Sequence, residues 1–195
     1  MIGPEFSDLL ADAQAGDTEA FAQLWRDANP ALVRYLRGLL GGTGEDLASE
    51  TWLAVIRGLS KFTGGENQFR AWLFTIARHK LVDAQRRGRG VRLRPLEDVP
   101  AASEPPAPDT ADVAAERMST ERAVALIATL PADQAEVILL RVVAGLDTAA
   151  VARLVGKSEG AVRVSAHRAL RRLADALGRP AVTTPAPAAF RDRDV

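Results

Sequence analysis

The stretch Leu146–Leu173, LDTAAVARLVGKSEGAVRVSAHRALRRL, holds two helical patterns separated by a tight break at Val155-Gly156-Lys157. Asp147 or Thr148 is placed to cap the first helix and Ser158 the second, because their side-chain oxygens accept the orphan N–H groups of a first turn. The first helix is short, with Val151 and Leu154 as apolar contacts. In the second, Val162, Ala166, Ala169 and Leu173 recur at spacings that make one buried stripe. Gly160, Ala161, Val164, His167, Arg168 and Arg171 fall on the opposite arc. A short helix, a glycine-containing turn and a longer helix with a basic outer face describe a helix-turn-helix, whose second helix suits a DNA major groove. Between Arg153 and Arg172 there are six basic residues against one acid, Glu159, the local excess that a phosphate-binding surface needs.

Working outward from that stretch, the chain divides by composition. Residues 95–115, PLEDVPAASEPPAPDTADVAA, have proline, alanine and acids without an apolar period. The expected architecture is all-α: two small helical domains, residues 7–90 and 116–178, joined by a flexible acidic Pro/Ala-rich linker over 91–115. A low-complexity tail, 179–195, is expected to be disordered. Gly3-Pro4-Glu5-Phe6 resembles a cloning remnant and is given no weight.

In the first domain, Gly16-Asp17 breaks one helical pattern from the next, and Pro30 reads as the first residue of a further helix ending at Gly41-Gly42-Thr43-Gly44. Glu45–Leu59 places Leu47, Thr51, Val55 and Leu59 on one side of a helix, with Trp52 and Ile56 beside them and Asp46 and Glu50 on a polar face. The segment KFTGGENQ, residues 61–68, reads as a loop broken by Gly64-Gly65. The next helix, Phe69–Arg87, has a wide apolar arc containing Trp72, while Arg78, His79, Gln85 and Arg86 face away from it; Phe74 lies at the arc's edge. In the second domain an amphipathic helix beginning near Glu116 carries Val124, Ile127 and Leu130. Another starts at Pro131 and ends at Gly145, supplying apolar surface for the helix-turn-helix.

Several function classes are excluded by composition. The chain has no cysteine, so disulfides, thiolate metal sites and a cysteine redox switch are out. Its two histidines, His79 and His167, are far apart in sequence, which argues against a histidine metal site. No nucleophile–base pair, carboxylate constellation or nucleotide-binding loop is found, so no catalytic residue, metal or cofactor is expected. No apolar run is long enough for membrane insertion and no secretory signal is seen, which reads as a cytoplasmic protein. The formal net charge is zero because locally basic and acidic segments cancel, so bulk attraction of this chain to DNA is weak.

Three stretches, EDLASETWLAVIRGL, FRAWLFTIARHKLVDAQRR and LPADQAEVILLRVVAGLDTAAVARLVGKSEGAVRVSAHRALRRL, occur in an order that resembles the extracytoplasmic-function sigma factors, minimal members of the bacterial sigma-70 family. The likeness covers nearly all of residues 7–178. It implies a promoter-specificity subunit, not an enzyme, whose partners are core RNA polymerase, promoter DNA and an anti-sigma factor. Asp46, Leu47, Glu50, Thr51 and Trp52 match the motif that docks on the polymerase clamp helices. The 61–68 loop matches the segment that captures an unstacked minus-10 base, with Lys61, Glu66, Asn67 and Gln68 as its polar residues. Arg70, Arg78, His79 and Arg86 would face phosphates beside it. Lys157, Ser158, Glu159, Arg163, Val164, His167, Arg168 and Arg171 are the minus-35 candidates, with Arg163 on the flank and Val164 suited only to apolar contact with a base. The linker resembles the connector that passes through the polymerase cleft. Two rivals remain: a stand-alone helix-turn-helix regulator with a ligand-binding or dimerising first domain, and a protein-binding helical adaptor.

Overall fold

A computed structural model describes residues 1–40, 44–86 and 111–178, with side chains omitted for 111–119. The expected linker, except its last five residues, and the expected tail lie outside the described residues. Every regular element among those described is helical: a 3-10 turn at Gly3–Glu5, then α1 Phe6–Ala15, α2 Thr18–Leu40, α3 Gly44–Leu59 and α4 Glu66–Arg86 in the first domain. The second holds α5 Ala111–Ala128, α6 Ala132–Ile138, a π turn at Leu139–Val143, α7 Thr148–Val155 and α8 Glu159–Gly178.

The first domain packs α1, α3 and α4 around α2, whose apolar face (Leu24, Leu32, Tyr35, Leu36) is buried against Val55, Phe69, Leu73 and Phe74. Pro30 does not start a new helix; α2 runs through it from Thr18 to Leu40. An internal proline costs about 3 kcal/mol. Ala28, Ala31, Leu32 and Leu36 flank it and are all buried, so continuous packing offsets the lost N–H. Phe6 is also core, its ring 5.7 Å from that of Phe69, so the N-terminal residues are an integral part of the fold. Phe74, at the edge of the sequence arc, is fully buried and edge-on to Tyr35 at 5.3 Å. Trp72 is half-buried and stacks on Phe62 at 5.0 Å.

In the second domain α5 begins at Ala111, inside the stretch read as linker. Pro131 is the N-cap of α6 as its position implied. The apolar run that follows is not uniform α-helix: it widens at Leu139–Val143, where Ala144 N–H donates to Leu139 O at 2.9 Å. Gly145, at φ +69°, then turns the chain toward α7. The helix-turn-helix forms as its caps predict. Asp147 accepts from Ala150 N–H at 2.6 Å, Gly156 is left-handed at φ +69°, and Ser158 Oγ accepts from Ala161 N–H at 3.2 Å.

The two domains lie against one another. The C-terminal part of α2 packs on α5, α6 and the π turn, and α4 meets α7. Gly38 allows the closest approach: a Cβ there would stand 2.8 Å from Leu139 Cδ1 and 3.3 Å from Val124 Cγ1. Beside it the Tyr35 hydroxyl donates to Glu136 Oε1 at 3.4 Å, and Arg78 Nε donates to the same oxygen at 2.8 Å.

Burial, reinforced by the Glu136 carboxylate, raises the Tyr35 pKa well above its ordinary value. In the unfolded chain this hydroxyl ionises near pH 10, and in the folded chain only well above that. The stability it contributes is therefore complete below about pH 10 and is lost as pH rises toward the folded pKa. Because the sequence has one tyrosine, absorbance titration reads this group alone. Tyrosinate should appear together with the loss of helical circular dichroism; free titration near pH 10 in a still-folded chain would contradict the burial.

Candidate functional site

Three surfaces carry the residues singled out in the sequence. On α3, the five polymerase-docking candidates separate into two groups. Asp46 is exposed, and Glu50 is half-buried with Lys80 Nζ at 3.6 Å. Leu47 and Thr51 belong to the core, and Thr51 Oγ1 donates to Leu47 O at 2.7 Å, so neither offers its side chain to a partner. Trp52 is mostly buried, its Nε1 donating to Asn29 Oδ1 at 3.0 Å, yet one side of it reaches a surface groove. That groove, about 410 Å³ between α2 and α3, is floored by Val33, Ala48 and Trp52 and walled by Trp25, Leu53 and Ile56.

Trp25, Leu53 and Ile56 are 42%, 53% and 53% exposed, unusual for side chains of this size so close together. Glu45 closes one end of the groove and pairs with Arg37. Leu53 was given no place in the sequence reading, and Ile56, read beside the buried side, is exposed in the groove wall; α3 is apolar on nearly all sides, a pattern that a helix with one buried face does not need.

On α4, the expected loop is shorter than its sequence suggested. Glu66, Asn67 and Gln68 form the helix's first turn, and Gln68 Oε1 accepts from Gly65 N–H at 2.6 Å as the side-chain half of a capping box. Glu66 is occupied: Ile2 N–H and Gly3 N–H donate to its two oxygens at 2.8 and 2.9 Å. Lys61 and Asn67 are exposed.

Arg70 does not face solvent. It is buried, with Nη1 2.8 Å from Asp27 Oδ2 and Nε donating to Ala144 O at 3.2 Å, while the terminal ammonium of Met1 shares Asp27 at 2.7 Å. Its expected phosphate contact is replaced by a tie between the domains. Arg78 is half-buried against Glu136. His79 and Arg86 are exposed. At about 100° per residue, Gln68, His79 and Arg86 fall within roughly 20° of one another, whereas Arg70 and Arg78 point to a different side.

On α8 the buried stripe and the exposed outer arc form as the spacing predicts. Val162 and Ala169 are buried, Ala166 and Leu173 half-buried, and Gly160, Ala161, Val164, His167, Arg168 and Arg171 all exposed. Val164, Arg168 and Arg171 lie within about 40° of one direction, and Arg163 is turned about 100° aside. Arg163 pairs with Glu159 at 2.7 Å, and Lys157 with Asp133 at 3.3 Å. Arg172 donates to Gln134 Oε1 at 2.8 Å. The last two contacts fasten the helix-turn-helix to α6, whereas the first lies within α8. Among the described residues no His/Asp/Glu cluster suits a metal ion, and no helix there is long and apolar enough to cross a membrane.

Comparison with known proteins finds matches over both domains. The model of sigma-70 region 2 matches residues 19–91, and that of sigma-70 region 4 matches residues 120–173. The ECF RNA polymerase sigma factor SigD of Mycobacterium tuberculosis is 37% identical over 186 residues, 90% of this chain and 85% of the relative. Among solved structures, CnrH in complex with the cytosolic domain of CnrY is similar at a TM-score of 0.60 and 26% identity, covering 88% of this chain and 96% of the other. The sigma factor RpoE from Bartonella quintana, in complex with the anti-sigma factor NepR, is similar at 0.58 and 26%, covering 82% and 98%.

The chain belongs to the extracytoplasmic-function sigma factors of the sigma-70 family, with a region 2 and a region 4 domain. It is a non-enzymatic RNA polymerase subunit that directs transcription initiation. The stand-alone regulator and the helical adaptor give way to that assignment.

One residue of α8 works against stability. Ser165 is buried with no hydrogen-bond partner for its hydroxyl, a burden of about 1–3 kcal/mol. Ser165→Ala should raise stability by roughly 1 kcal/mol, measured as a higher midpoint in thermal unfolding. A lower midpoint would mean the hydroxyl is bonded in solution.

Proposed function

We propose that the groove between α2 and α3 is the surface that docks on core RNA polymerase. The observation that carries this is the exposed wall of Trp25, Leu53 and Ile56 beside buried Trp52. A soluble domain gains nothing by leaving that area in water, whereas an apolar ridge on a partner helix buries it. Glu45, Asp46 and Glu50 edge the same helix with negative charge, which favours a partner whose flanks are basic. In this reading Leu47 and Thr51 hold α3 in place, and the contact itself is made by Leu53, Ile56, Trp25 and the open side of Trp52.

The minus-10 surface is assigned to the start and outer strip of α4: Lys61, Asn67 and Gln68 near an unstacked base, with His79 and Arg86 along the phosphates and Arg78 beside them once it is free. The minus-35 surface is the outer arc of α8. Arg168 and Arg171 reach bases or phosphates, Val164 makes apolar contact with a base, and Lys157, Ser158, Glu159, Arg163 and His167 border them. The protein's place of action is the cytoplasm, where polymerase and promoters meet, and an anti-sigma factor is its regulator, a reading supported by the complex of the similar sigma factor RpoE with the anti-sigma factor NepR.

The test is co-elution with core RNA polymerase, followed by transcription of genomic fragments from the same fractions. Leu53→Glu with Ile56→Glu should lower polymerase affinity by about a hundredfold or more, since two apolar contacts of about 1.5–3 kcal/mol each are replaced by buried charge. Both positions are exposed, so helix content should be unchanged. Undiminished co-elution would remove the groove from the docking surface. Arg168→Ala with Arg171→Ala should leave co-elution intact and cut promoter-dependent transcripts by about tenfold; full transcript levels would exclude these arginines from promoter contact.

A further inference from the structure

The connection from α3 to α4, residues 60–65, leads straight into Asn67 and Gln68. Surface connections of this length are ordinarily adaptable, yet this one is fastened from outside. Gln14 Nε2, on α1, donates to Leu59 O and to Phe62 O, each at 2.8 Å, and so uses both its hydrogens on carbonyls around the end of α3. Phe62 is also held by rings: it stacks on Trp72 at 5.0 Å and meets Phe69 edge-on at 5.7 Å, and Phe69 lies 5.7 Å from Phe6. At the other end both oxygens of Glu66 accept from the N-terminal backbone, Ile2 N–H at 2.8 Å and Gly3 N–H at 2.9 Å. The first turn of α4 packs down on the connection as well, for a Cβ at Gly64 would stand 3.0 Å from Gln68 Cβ and 3.2 Å from Phe62 Cζ. Residues 2–15 thus reach this segment at its start, its middle and its end.

We propose that residues 2–15 are a brace that fixes the base-reading end of α4, with Gln14 and Glu66 as its positioning residues. Selecting one base from an unstacked strand needs polar groups held to within about 0.5 Å; otherwise they bond every base equally poorly. Lys61 and Asn67 are exposed, so the backbone beneath them has to supply that precision. Gln14 supplies it for the connection and Glu66 for the first turn of α4. Glu66 therefore does not read the base itself. Its two oxygens are engaged by Ile2 and Gly3, and it acts through Asn67 and Gln68. The DNA side of this proposal rests on the assignment of Lys61, Asn67 and Gln68 to the minus-10 surface, whereas the fastening does not.

Gln14→Met keeps the length of the side chain and removes both donors, and Gln14→Lys restores donors at that site. Amide hydrogen exchange of the full chain reads the fastening without DNA. The amides of residues 60–68 should exchange about tenfold faster in Gln14→Met and in Glu66→Ala, with peptides from α2 unchanged, and Gln14→Lys should keep the native rate. For function, each variant is combined with bacterial core RNA polymerase, and base preference at each promoter position is read from start sites on genomic fragments. Preference within the minus-10 element should flatten by about tenfold in Gln14→Met and in Glu66→Ala. Preference within the minus-35 element and co-elution with core should stay native. General damage would lower both elements together, so the ratio between them isolates the brace.

Native exchange rates in Gln14→Met, or equal acceleration in Gln14→Met and Gln14→Lys, would overturn the brace. A different preferred base in Glu66→Ala, with selection still sharp, would make Glu66 a direct reader and overturn its positioning role. Lys61→Ala with Asn67→Ala separates the two layers of the argument, because both side chains are exposed and neither belongs to the fastening. If that variant loses selection and Gln14→Met does not, the brace has no part in base reading and the proposal falls. If that variant selects as the native chain does while Gln14→Met exchanges faster, the brace stands and the minus-10 assignment of this segment is removed.

Discussion

The interior guanidinium of Arg70 is the interaction on which the arrangement of the whole chain turns. A charge taken out of water must be met by partners, and removing one from a buried pair typically costs about 3–5 kcal/mol. Here the partners come from three places. Asp27 of α2 lies at 2.8 Å, the Ala144 carbonyl of the second domain at 3.2 Å, and through Asp27 the terminal ammonium of Met1 joins the same network. The position of α4 on α2, the seating of the N-terminus and the approach of the second domain are thereby mutually dependent. The carbonyl is free to accept because the π turn displaces the last helical hydrogen bonds, and so a local irregularity in one domain satisfies a charge in the other.

Around that tie, α2 serves as a common wall. It is packed by α1, α3 and α4, and its C-terminal part also by the second domain. A helix with that many neighbours tolerates Pro30, because losing one backbone hydrogen bond is small beside the apolar area that a break would expose. It also explains a glycine at position 38, inside a helix where glycine is otherwise unfavourable. Without a Cβ, Leu139 can lie almost on the backbone.

Much of this was legible in the sequence wherever a local pattern had one physical solution. The cap at Asp147 (one of the two residues the sequence offered), the cap at Ser158, the glycine break at 156 and the Val162–Ala169 stripe are set by neighbours in the chain. What was not legible depends on residues far apart. Nothing around Pro30 announces that its helix will be held on several sides. The start of α4 at Glu66 was hidden because Gly64-Gly65 reads as a loop whether or not the next residue is already helical, and the Gln68 cap that decides it resembles a free polar side chain. Phe6 looked dispensable until Phe69 was brought beside it.

The docking residues illustrate the same limit from the other direction. A motif names positions on a helix, but only packing decides which of them are core and which are contact. Leu47 and Thr51 stabilise α3 from beneath, and the apolar wall that faces outward is Leu53 and Ile56, residues that a one-sided reading of the helix assigns no task. The arginines of α4 divide in the same way. Arg86 lies on the exposed strip with His79, whereas Arg70 and Arg78 turn toward α6, α7 and the π turn. Basic residues in a DNA-binding chain are therefore not interchangeable evidence for DNA contact. On α8 Arg168 and Arg171 lie on a face that no other described element covers, whereas on α4 part of the charge is engaged within the chain.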